Sequence, residues 1–92
     1  MTDILKRNLI PSRDAAISAV ADETVILHLV NGNYYGLDPV GTRIWGMIGE
    51  GVATPDICRR LAAEYEIEFS GVKADVRAFL TDLEAQGILV DG

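Results

Sequence analysis

Between Gly32 and Trp45 the chain reads as a turn, a short strand and then, with no linker, a capped helix. Asn31-Gly32-Asn33 is turn chemistry, and Tyr34 to Leu37 favour an extended backbone. Asp38 is a helix N-cap residue, and Pro39 sits in the first turn, where its missing N–H costs nothing. The strand carries no lysine, arginine or proline of the kind that guards an exposed edge.

Two further strands are expected upstream, Ala15 to Val20 and Thr24 to Val30, separated by the polar Asp22-Glu23 step; the second is rich in aliphatic residues. Residues 1–13 mix charged and apolar side chains without a period, and Pro11 interrupts any pattern. They read as a flexible arm or a loose edge strand, leaving 14–92 as a single domain. At 92 residues, 49% of them apolar, the chain has material for one core and not two.

The Asn31 turn sets the register of the following hairpin. A two-residue turn would pair Leu29 with Tyr34 and put Tyr35 and Leu37 opposite to Leu27 and Leu29. A three-residue Asn31-Gly32-Asn33 loop would pair Leu29 with Tyr35 and Leu27 with Leu37, gathering these four on one buried face. The second is expected, with Ile26, His28, Val30 and Tyr34 on the other, partly solvated face.

Three helices should come next. The first runs from about Pro39 to Gly49, with a stripe of Val40, Ile44, Met47 and Ile48 beside Trp45. The second is capped by Thr54 and runs to about Glu66, with Ile57, Leu61, Ala62 and Tyr65 at helical spacing. The third is capped by Ser70, carries Val72, Val76, Phe79, Leu80 and Leu83, and ends at Gly87 before a brief extended Ile88-Leu89-Val90 tail. The sum is an α+β domain in which three helices cover one face of a three-stranded antiparallel meander, and its second and third helices resemble a helix-turn-helix pair.

Composition excludes several functions. A net charge of −6 argues against nucleic acid as the main partner, because phosphate neutralisation needs a clustered excess of Lys and Arg. No apolar run reaches membrane-spanning length and no signal-peptide order opens the chain, so no membrane partner and a cytoplasmic location are expected. His28 and Cys58, each the sole residue of its type, share no ligand or nucleophile–base spacing. The glycines around Met47 and Ile48 follow a helix rather than a strand and form no phosphate loop. Neither enzyme activity nor a cofactor is expected.

An unguarded edge, by contrast, offers free N–H and C=O groups to an extended peptide, unless the N-terminal arm or a second copy covers it. Placed at 100° intervals, Val72, Val76, Phe79 and Leu83 centre the buried face of the third helix. Lys73, Arg77, Leu80 and Glu84 line one flank, and Asp75 and Asp82 line the other. If the basic flank borders the third strand, strand and helix form a groove suited to an extended peptide with apolar anchors and an acidic residue.

The order from Val25-Ile26-Leu27 through Gly32 to Trp45 resembles the PqqD-like family. The same resemblance continues through Thr54-Pro55-Asp56-Ile57, Leu61, Tyr65, Val72, Asp75-Val76, Phe79-Leu80, Leu83 and Gly87-Ile88-Leu89-Val90. It spans roughly Val25 to the end. It implies a winged helix-turn-helix-like domain that acts as a recognition element for ribosomally synthesised, post-translationally modified peptides, taking the leader segment of a precursor as an added strand between the third strand and third helix. Carried onto this chain, the site is Asn33, Tyr34, Tyr35, Gly36 and Leu37 with Lys73, Val76, Arg77, Leu80 and Glu84. The size and the Tyr34 to Gly41 core are most similar to the discrete leader-binding proteins of lasso-peptide biosynthesis, whose implied partners are a cysteine-type leader peptidase and a cyclase, with the adaptor a monomer or weak homodimer. Alternatives are a PqqD-type chaperone serving a radical-SAM enzyme in pyrroloquinoline quinone synthesis, and a winged-helix DNA-binding regulator.

Overall fold

The computed structural model describes residues 3–20 and 23–92. Its elements run as a 3-10 turn (Ile4–Lys6), β1 (Leu9–Pro11), β2 (Ala15–Val20), β3 (Glu23–His28), β4 (Tyr34–Leu37), α1 (Pro39–Gly49), α2 (Thr54–Tyr65), α3 (Phe69–Ala85) and β5 (Leu89–Asp91). The expected α+β arrangement is the one observed: β2, β3 and β4 form an antiparallel sheet in that order, with three helices in the same domain. Asp22, half of the polar step expected between β2 and β3, lies outside the described residues; Glu23 begins β3.

The register of the β3–β4 hairpin differs from both alternatives read from the turn. Thr24 pairs with Leu37, Val25 with Gly36, Ile26 with Tyr35 and Leu27 with Tyr34. The connection is longer because it builds its own hydrogen bonds: His28 N–H donates to the Asn33 carbonyl, Gly32 N–H to the His28 carbonyl, and Asn33 N–H to Asn31 Oδ1. Gly32 takes a positive φ of 77° to complete it. Tyr35 and Leu37 do face the helices, but beside Ile26 and Thr24. Leu27 and Leu29, expected in the core, are exposed, whereas Ile26 is fully buried.

Asp38 caps α1 as the sequence requires, its carboxylate accepting from Gly41 N–H at 2.7 Å with Pro39 in the first turn. Ile44, Trp45, Met47 and Ile48 are buried, while Val40 stands exposed at the first turn. Two expected caps are corrected. Thr54 and Ser70 lie inside the first turns of α2 and α3, whose N-cap positions are Ala53 and Glu68 with no side-chain cap bond. Ser70 instead donates to Glu68 Oε1. The helices start without capping because tertiary burial of Ile57, Cys58 and Leu61 on α2, and of Val72, Val76, Leu80 and Leu83 on α3, stabilises them more than one cap bond would.

Residues 3–13, within the segment expected as a flexible arm or a loose edge strand, pack into the domain. Leu5 and Leu9 belong to the core cluster, and β1 pairs antiparallel with β5 in a separate two-stranded sheet, Ile10 opposite Val90. The last residues are thus a paired strand rather than a free tail. Ion pairs reinforce the closure: the Arg7 guanidinium contacts Glu84 on α3 and Asp91 on β5, and Arg77 of α3 pairs with Asp3 at 2.8 Å.

Candidate functional site

Sheet order leaves β4 at an edge, and the ladder decides which of its backbone groups are free. His28 and Asn33 are hydrogen-bonded across the hairpin. Because bonded and non-bonded pairs alternate along an antiparallel ladder, Ile26–Tyr35 and Thr24–Leu37 are bonded pairs too. Tyr34 and Gly36 therefore turn their N–H and C=O groups away from β3, toward the open edge. Both residues are exposed, and nothing lies within 4 Å of where a Gly36 Cβ would be.

The other wall is α3, but not by the flank expected. Tyr35 O–H donates to Asp82 Oδ2 at 2.8 Å, which fixes the Asp82 flank toward β4. The same bond holds the Tyr35 hydroxyl in its neutral form and raises its pKa. One turn earlier on α3, Phe79 meets the start of α1. A Cβ built on Gly41 would stand 3.1 Å from Phe79 Cε1 and 3.5 Å from Leu37 Cβ, so glycine lets the two helices and the strand converge there without displacing the Phe79 ring. Tyr35 thus lies by Asp82 and Leu37 by Phe79, so β4 and α3 run in opposite directions. The backbones of β4 and α3 stay apart, side chains bridging the gap. Ala74, Ala78 and Ala85, together with Arg77 and Thr81, form an open shelf along the exposed side of α3 beside Phe79 and Asp82.

The five helix residues assigned from the sequence are placed elsewhere. Val76 and Leu80 are each 1% exposed and belong to the core. Lys73, Arg77 and Glu84 are on the far flank. Lys73 Nζ sits 5.2 Å from the centroid of the Phe69 ring, Arg77 is held by Asp3, and Glu84 by Arg7. The Arg77 hydrogen bond lowers the Asp3 carboxyl to about 2. Asn33 to Leu37 stand where expected, although Leu37 is buried and contributes packing. The residues on the flank that faces β4 are Phe79, Ala78 and Asp82, none of which was assigned to the site from the sequence. Their signal was present in the sequence as an aromatic, small and acidic flank, but α3 is amphipathic in the same way whichever flank meets β4.

The remaining reactive groups are structural. His28 Nδ1 accepts from the N–H groups of Val30 and Asn31, and the Cys58 thiol is buried, which raises its pKa. Among the described residues no His, Cys, Asp and Glu cluster is arranged for a metal ion, and no helix is long and apolar enough to cross a membrane. A second concavity of about 450 Å³ lies away from β4, between Leu5, Arg7 and Leu9 on one side and Val52, Thr54 and Pro55 on the other.

Comparison with known proteins gives the site its context. Residues 23–89 match the family model described as coenzyme PQQ synthesis protein D (PqqD). The solved structure of TbiB1 in complex with the TbiA(beta) leader peptide is 38% identical, with 87% of this chain and 93% of that chain covered and a TM-score of 0.83. A lasso peptide synthetase B1 complexed with the leader peptide is 22% identical over 90% of this chain and 98% of that one, with a TM-score of 0.85, and speaks for the fold alone. No curated protein matches the chain.

Proposed function

This chain belongs to the PqqD family, and from that membership and the open edge of β4 we propose that it is a non-catalytic adaptor: it takes the leader segment of a ribosomally synthesised precursor peptide as a strand beside β4 and presents it to modifying enzymes. The observation that carries the proposal is the pair of outward backbone units at Tyr34 and Gly36, opposite an α3 wall that stands one side chain away. Each unit offers one donor and one acceptor. A net contribution of about 0.5–1.5 kcal/mol per hydrogen bond, added to burial of apolar anchors on Phe79 and the alanine shelf, is enough for a specific complex.

The likeness to TbiB1, solved with the TbiA(beta) leader peptide, supports leader binding, and the resemblance of the Tyr34 to Gly41 core to the discrete leader-binding proteins favours a lasso-peptide pathway over a radical-SAM one. In that setting the enzymes served are a cysteine-type leader peptidase and a cyclase, and the location is the cytoplasm. The binding surface is the outward backbone of Tyr34 and Gly36, with Phe79, Ala78 and Asp82 supplying the helix wall.

Fluorescence anisotropy with a labelled leader peptide of a ribosomally synthesised precursor, the TbiA(beta) leader among those tried, tests the proposal. Gly36→Pro removes one outward donor and leaves the β3–β4 bonds in place, so affinity should fall at least about tenfold, with little change in melting temperature. Unchanged affinity would rule out strand addition at β4.

A further inference from the structure

The two walls of the groove share a spacing that constrains the peptide's sequence. Phe79 and Asp82 are three residues apart on α3, a separation of roughly 5–6 Å between Cβ atoms. Side chains on one face of a strand recur every two residues, about 6.6 Å apart. A strand added to β4 directs alternate side chains to the helix side, where Tyr35 and Leu37 already point. Two successive inward residues therefore reach Phe79 and Asp82 together.

The chemistry at those two positions differs. Phe79 is half-buried and continuous with the core, an apolar seat. Asp82 is exposed, and among the described residues its carboxylate receives one side-chain hydrogen bond, from Tyr35 to Oδ2. No described residue hydrogen-bonds to Oδ1, and no described Lys or Arg forms an ion pair with Asp82. The cations on α3 are engaged within the chain, Arg77 by Asp3 and Lys73 by the Phe69 ring.

We infer that Asp82 is a specificity-determining residue that selects a peptide with a lysine or arginine two positions from an apolar residue. The inference rests on the strand-addition proposal and reverses the acidic ligand expected from the sequence. Tyr35 holds the carboxylate at the groove wall, and the incoming cation takes the free oxygen. Because the pair is partly exposed, the preference for lysine over glutamate at that position should be about three- to tenfold and should weaken as salt is raised.

Selection from a library of short randomised peptides, followed by anisotropy on the recovered sequences, tests this with wild type, Asp82→Asn, Asp82→Lys, Tyr35→Phe and Gly36→Pro. The expected result is enrichment of an apolar-x-basic spacing, or its reverse, by wild type. Asp82→Asn should lose the basic preference and keep the apolar one, and Asp82→Lys should shift it toward acidic residues. Tyr35→Phe, which frees the carboxylate but keeps its charge, should weaken the basic preference without abolishing it, which separates reading by the carboxylate from loss of the Tyr35 bond. Basic enrichment at every position, the mark of the overall negative charge alone, would overturn the inference, as would a fixed-spacing preference that survives in Asp82→Asn. Enrichment that Gly36→Pro abolishes but that carries no basic preference would overturn this inference and leave strand addition standing. No enrichment, or enrichment indifferent to Gly36→Pro, would overturn both.

Discussion

The two flanks of α3 carry similar numbers of charges and use them in opposite ways. On the flank against the N-terminal segment, Arg77 and Glu84 are each paired within the chain, to Asp3 and Arg7. On the flank toward β4, Asp82 keeps an open carboxylate oxygen beside a strand edge with unpaired backbone groups. Charge alone pointed to the first flank. Open hydrogen-bonding capacity points to the second, because a group already satisfied within the fold gains little from a ligand, whereas an open one gains a full interaction.

Substitutions that separate packing, binding and charge would break or sharpen this contrast. Leu80→Ala should have the largest effect, about 2–5 kcal/mol of lost stability measured by urea unfolding, since Leu80 is 1% exposed. If Leu80 instead contacted the peptide, stability would hold and affinity alone would fall. Tyr35→Pro should come close behind: it removes an N–H that bonds to β3 and destabilises the sheet itself, in contrast to Gly36→Pro, whose N–H faces outward. Equal melting temperatures for these two variants would contradict the ladder phase deduced for β4.

Smaller effects are expected on the far flank. Arg7→Ala loses both the Glu84 and the Asp91 pair and should lower the melting temperature by a few degrees while leaving leader affinity unchanged. A large affinity loss at unchanged stability would place that flank in the binding surface after all. The smallest effect concerns acid. The Asp3 carboxyl is lowered to about 2 from an ordinary 3.8, chiefly by the Arg77 hydrogen bond. A depressed acid stabilises the fold above its unfolded pKa and loses that contribution as pH falls through the folded one. Stability should therefore drop between about pH 4 and pH 2 slightly more in wild type than in Asp3→Asn, as followed by thermal melts. Identical acid limbs would mean that the Asp3–Arg77 pair does not persist in solution.

Much of this architecture was legible in the chain. The bounds of β2, β4 and α1 come from local chemistry: β-favouring runs bounded by turn residues, and an Asp38-Pro39 start. The register of β3 was not legible, since the choice between loops depends on bonds among His28, Asn31 and Asn33 that no two-residue turn rule describes. The N-terminal segment stayed open between an arm and an edge strand because the partner of β1, β5, lies at the other end of the sequence. Leu9 and Leu89 have no local period to announce them; only their shared burial does.

What the sequence determined by itself was the strand-to-helix junction of Gly32 to Trp45, the helical stripe of α3 and the bareness of the β4 edge. These depend on residue type and on contacts within a few positions. Only the tertiary structure decided which flank of α3 meets that edge. A helix buried along one stripe can be bordered on either side, and the choice is made by contacts distant in sequence: Tyr35 with Asp82 on one side, Asp3 with Arg77 and Arg7 with Glu84 on the other.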